Sequence, residues 1–181
     1  MSIKKSSQVA MGGVCTALCL VLMFLTGMVP MSTFALPALA GLVLIVVAVE
    51  MGRKTALLVY GATALLCIFV VPDVEASMLF VFFFGYYPII KPKLDGLPSR
   101  VLGWIIKLAV YNGAVVAAYL CVIYLFGLTQ VLEQTGPLGQ YSLWILLGLA
   151  NVIFLLYDVV IKRMYILYLC WFRPKFLHRV H

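Results

Sequence analysis

From Gln8 to Val29 the chain places no charged residue, and comparable apolar runs return along the rest of its length. That repetition constrains the fold more than any other feature. A helix rising about 1.5 Å per residue needs about 20 mostly apolar residues to cross a hydrocarbon core ~30 Å thick. Inside lipid every backbone N–H and C=O must find its partner within the chain, which a helix achieves by itself. Hydrophobic residues fill 65% of the 181 positions and charged residues 10%, against about half and about a quarter in soluble domains. A soluble fold of this size has no interior large enough for that much apolar surface, so the expected solvent is lipid.

Polar breaks divide the chain into six expected spans, at residues 8–29, 36–50, 55–71, 78–90, 101–128 and 142–161. The reading is an all-α membrane protein, residues 1–181 forming a single bundle of six transmembrane helices. The basic start followed by an apolar run resembles a signal peptide. The run is too long for one and lacks a small-residue cleavage site, so it is read as a retained first helix. Residues 162–181 alternate aromatic and basic side chains, as an interfacial tail does.

Lys and Arg set the orientation. Apart from Lys107 inside the fifth span, they occur at Lys4 and Lys5, at Arg53 and Lys54, at Lys91, Lys93 and Arg100, and from Lys162 onward in the tail. The three alternate connections carry only Asp73, Glu75 and Glu133. Both termini are therefore expected in the cytoplasm. In a soluble protein the net charge of +7 would point to nucleic acid. Here the basic residues sit at segment ends, and no nucleic-acid partner is expected. The stretch from Phe82 to Arg100 reads as a membrane exit: Tyr86 and Tyr87 in an aromatic belt, Lys91 and Lys93 in the connection, Pro92 and Pro98 halting the neighbouring helices.

Ionisable groups at membrane depth are costly and mark sites. Lys107 lies about 9 Å into the fifth span and Asp158 about 6 Å into the sixth, by the helical rise. A short connection makes these spans neighbours, so the depths allow a Lys107–Asp158 ion pair. It either neutralises itself or leaves Lys107 to snorkel outward. Asn112 and Asn151 fall near the midplane, where an amide must be hydrogen-bonded. They bond between helices or line a polar cavity walled by Tyr111, Tyr119, Tyr141 and Trp144. Gly13 and Ala17, with Gly12 and Thr16 beside them, form a small-residue stripe that suits close helix approach.

No phosphate-binding loop, nucleophile elbow or zinc-protease motif occurs, and no carboxylates pair within a span. His178 and His181 close the chain without further ligands, so no metal site is expected. The five cysteines lie in or beside apolar runs without a CxxC pair, and read as small buried hydrophobes. No catalytic residue, cofactor or metal is expected, and the chain is not read as an enzyme.

Length, six spans, inward termini and small residues in the first helix resemble the substrate-binding S components of energy-coupling factor (ECF) transporters. The resemblance covers nearly the whole chain and rests on architecture. It implies binding of a vitamin or related small micronutrient at a bacterial plasma membrane. It also implies docking on a membrane coupling subunit driven by two cytoplasmic ATPases. By the same resemblance Gly13 and Ala17 would dock on the coupling subunit, and the segment "PMSTFALP" would form a lid. Asn112, Asn151, Tyr111, Tyr119 and Trp144 would bind the substrate. The architecture is also similar to the rod-shape protein MreD, a non-transporting scaffold of the cell envelope, in which the same polar residues would be structural. A hollow outer half separates the first expectation from the second.

Overall fold

A computed structural model of the chain describes residues 5–29, 32–126 and 140–172. Helix α1 (Lys5–Phe24) tightens into a 3-10 turn at Leu25–Gly27 and is followed by α2 (Ala35–Glu50) and α3 (Arg53–Val70). A fourth rod is composite: α4 (Val74–Leu79), a π turn at Phe80–Phe84, and α5 (Tyr87–Asp95). Two long helices complete the fold, α6 (Arg100–Phe126) and α7 (Gln140–Leu167), the latter ending in a π turn at Tyr168–Phe172. Among the described residues, Ser6–Gly27, Arg53–Val70, Val74–Asp95 and Val101–Tyr124 are long and apolar enough to cross a membrane. Ala35–Glu50 is apolar but shorter. These lengths support a multi-pass membrane protein.

The fourth rod departs most from the sequence expectation of 78–90. It begins at Val74 because Asp73, in an extended conformation, caps it: the carboxylate accepts from Ala76 N at 3.0 Å, satisfying one of the free amides of a first turn. It ends at Asp95 rather than Ile90, running through Pro92. Proline removes the donor for the carbonyl one turn earlier. That carbonyl, on Pro88, instead accepts from the Tyr165 hydroxyl of α7 at 3.1 Å. The π turn is compensated in the same way. Gly85 N bonds Phe80 O at 2.9 Å, freeing the Val81 carbonyl, which accepts from the Tyr60 hydroxyl of α3. Side chains from neighbouring helices thus repair both irregularities, as lipid could not.

This composite rod is the centre of the bundle, 67% buried over its most apolar stretch against 28% for the other three rods of sufficient length. Phe80, Phe83, Phe84 and Tyr87 are almost fully enclosed. Phe83 stacks on Tyr87 at 4.7 Å between ring centroids and meets Tyr111 edge-on at 4.9 Å, while Tyr111 stacks on Phe154 at 4.6 Å. Offset and edge-on pairs contribute about 0.5–1.5 kcal/mol each beyond area burial. The expectation that Tyr87 sits in an interfacial belt is therefore corrected: it is a core residue.

Helices α6 and α7 turn their polar sides inward. Gly103, Lys107, Tyr111, Ala114, Ala118 and Val122 form the buried stripe of α6, while Ile105, Val116 and Leu120 face out. On α7 the buried stripe is Phe154, Tyr157, Asp158 and Ile161, continued by Tyr168 in the π turn. This is the helical period with the usual polarity reversed, as a lipid solvent requires. The helix also continues past the expected end at Ile161, so Lys162 and Arg163 extend α7 rather than begin a separate tail. Close packing depends on Gly41 of α2, where an added Cβ would run into the Phe84 carbonyl and the Tyr157 hydroxyl. Gly52 joins α2 to α3 at φ 86°, a conformation that side chains disfavour.

Candidate functional site

The polar residues buried at the basic end of the bundle converge on one point. Tyr87, Lys91 and Asp95 recur every fourth position along α5 and so share a face. That face meets Lys107 from α6 and Asp158 from α7. Lys91 Nζ lies 2.6 Å from Asp158 Oδ1 and 3.1 Å from Asp95 Oδ2. Lys107 Nζ pairs with Asp95 Oδ1 and lies 3.4 Å from Asp158 Oδ1. The Tyr87 hydroxyl donates to Asp158 Oδ1 at 2.6 Å. Lys107 also lies over the Trp104 ring, 4.9 Å from its centroid.

Side-chain exposure is 2% for Lys91, 6% for Lys107 and 7% for Asp158, against 39% for Asp95. Two cations and two anions alternate, so the group is neutral as a whole. Neutral pairing is what makes ionised groups tolerable away from water. The group ties α5, α6 and α7 together, and removing one member leaves an uncompensated buried charge.

Lys107 and Asp158 thus stand together, but as half of a four-charge group. The sequence places Lys91 and Asp95 in a connecting loop, whereas in the structure both lie on α5. The "KPKLD" run looks like a loop because of its proline and its charge. The available signal was the four-residue spacing of Tyr87, Lys91 and Asp95, which only a continuing helix makes meaningful.

The remaining expected site residues lie further along α6 and α7. Asn112 Nδ2 donates to Asn151 Oδ1 at 3.0 Å, and Asn151 Nδ2 donates back to Asn112 Oδ1 at 3.2 Å. Each amide also donates to the carbonyl one turn earlier, on Leu108 and Leu147. The Tyr111 hydroxyl donates to Ala150 O at 2.8 Å. Tyr119 donates to Glu75 Oε1 at 2.7 Å, on the acidic side of the bundle. The groove between Glu75, Leu79, Ala118, Tyr119 and Val122 has about 0 Å³ open to a water molecule. Nearby, Thr33 Oγ1 donates to Asp73 Oδ2 at 3.1 Å, joining the α1–α2 connection to the cap of α4.

Trp144 and Tyr141 belong to α7 by backbone, but their side chains lie outside the described residues. So do Glu133, His178, His181 and the Pro30–Met31 part of the expected lid. On α1, Gly12 is buried against Val59, whereas Gly13 and Ala17 are exposed, with nothing within 4 Å of a Cβ built on Gly13. The described residues hold no cluster of His, Cys, Asp and Glu suited to a metal ion. Comparison with known proteins finds no matching family model, no matching curated protein and no matching solved structure.

Proposed function

We propose that the chain is the substrate-binding membrane subunit of an importer of the energy-coupling factor type, taking up a vitamin or related small micronutrient. The observation that carries this reading is the outward-facing Gly13 and Ala17 on α1, two small residues one turn apart on an exposed apolar face. Such pairs let a second helix approach closely. In this reading the partner is a membrane coupling subunit bearing two cytoplasmic ATPases. The protein lies in a bacterial plasma membrane with six spans and both termini inside, so the basic end faces the cytoplasm and the acidic end faces out. The chain performs no chemistry of its own.

The substrate then enters from the acidic end and engages Asn112, Asn151, Tyr111, Tyr119 and Trp144. Entry exchanges the Asn112–Asn151 hydrogen bonds for bonds to the ligand, a near-neutral trade when both states are fully bonded. Release of Thr33 from Asp73 frees the α1–α2 connection to act as a lid. The test is purification from native membrane, with mass spectrometry of bound small molecules and of co-purified proteins. A solute recovered together with ATPase subunits supports the reading. Recovery of cell-wall or division proteins without a solute overturns it.

A second reading has its own support. Asn112 and Asn151 already satisfy one another, and the groove beside Tyr119 leaves no room for a water molecule. Tight packing there suits a non-transporting envelope scaffold similar to MreD, for which the exposed small residues on α1 would bind a structural partner.

A further inference from the structure

The four-charge group is uneven in a way that points to a ligand. Lys91, Lys107 and Asp158 are nearly sealed from solvent and together carry one net positive charge. An uncompensated charge there is costly, so an anion must sit against the two lysines. Asp95 supplies it from the edge of the group: it is the last residue of α5, and its side chain is 39% exposed. It also borders a cleft of about 390 Å³, walled by Lys91, Asp95, Gly96, Lys162 and Tyr165. That volume falls within the range of about 300–1,000 Å³ found for small-ligand sites. The exposed Lys162 of α7 adds a further cation to the same wall.

We infer that this cleft is a binding site for a phosphate group, and that Asp95 is an internal occupant which the phosphate displaces. Each Asp95 oxygen is drawn to one buried lysine. A phosphate monoester carries three free oxygens, so it can satisfy Lys91 and Lys107 and still turn an oxygen to Lys162. The displaced Asp95 is already part-exposed and turns to water, its two lysine contacts replaced by those of the phosphate. The phosphate is a monoester, carried either by the headgroup of phosphatidic acid or by a soluble phosphate ester, since both present the same group. This site lies at the basic end, apart from Asn112 and Asn151, and does not depend on the importer reading.

The experiment uses the full chain purified in detergent and titrated with inorganic phosphate, read by thermal stability and by ³¹P line broadening. Wild type is stabilised by phosphate beyond an equal ionic strength of chloride. Asp95→Asn removes the competitor and binds phosphate about tenfold more tightly, the scale of one hydrogen bond to a charged group. Lys162→Gln, at an exposed position, binds about tenfold more weakly on the same scale. In nanodiscs, loss of phosphate binding in phosphatidic acid but not in phosphatidylcholine assigns the site to a lipid headgroup. Equal phosphate binding in both assigns it to a soluble ester. A response to phosphate no larger than that to chloride overturns the inference, as does unchanged binding in Lys162→Gln. Should Asp95→Asn fail to fold, Lys162→Gln decides alone.

Discussion

Lys91 Nζ lies 2.6 Å from Asp158 Oδ1, although 67 residues separate them in the chain. The contact joins the central rod to the last long helix at a depth where water is scarce, and Tyr87 donates to the same oxygen. Asp158 therefore holds two lysines and a hydroxyl at once. Asp158→Asn is expected to destabilise the bundle by about 3–5 kcal/mol, because two lysines would then share the single carboxylate of Asp95. Thermal unfolding in one fixed detergent measures this. Asp158→Leu combined with Lys91→Met should lose less than the two single changes summed, since the pair leaves together.

The asparagine pair yields a second cycle. Asn112→Leu strands the Asn151 amide, and loses about 0.6–2 kcal/mol, the range of interhelical hydrogen bonds in membranes. Asn112→Leu with Asn151→Leu should recover part of that loss. If the importer reading holds, either single change also abolishes solute binding while the protein remains folded.

Glycines on opposite faces should behave oppositely. Gly41→Ala forces a Cβ against the Phe84 carbonyl and the Tyr157 hydroxyl, and overpacking of this kind destabilises by about 1–3 kcal/mol. At Gly13, by contrast, an added Cβ meets nothing within 4 Å among the described residues, so Gly13→Leu extends from an open face. It should leave the unfolding temperature unchanged while reducing recovery of any partner that docks on α1.

Tyr165 and Pro92 should be coupled. Tyr165→Phe removes the donor to the Pro88 carbonyl and should lose about 1–3 kcal/mol, the range for leaving a buried acceptor unpaired. In a Pro92→Ala background the helix supplies its own N–H to that carbonyl. The Tyr165→Phe loss should shrink there, and equal losses in both backgrounds would refute the compensation.

The long apolar rods were legible in the sequence because charge is absent from them, and helix ends mostly fell within a few residues of the expected places. Lys107 and Asp158 were legible for the same reason, since a single charge stands out in an apolar run. Lys91 and Asp95 were hidden by their neighbours. Prolines, a glycine and basic residues beside them resemble a loop, and only the hydroxyl of Tyr165, distant in sequence, makes a helix through Pro92 tolerable. The π turn at Phe80–Phe84 was invisible likewise, because its freed carbonyl is satisfied by Tyr60 from another helix. Local irregularity repaired by a remote side chain leaves no local pattern to read.

The central claim is that α1 presents a docking strip for an energising partner while the bundle holds a small solute. Affinity purification of wild type and Gly13→Leu from native membrane, with mass spectrometry of proteins and small molecules, tests it most directly. The account predicts a membrane coupling subunit, two ATPases and a bound solute with wild type, and loss of the protein partners but not the solute with Gly13→Leu. The same protein partners recovered equally with both, or no ATPase and no solute with wild type, would contradict it.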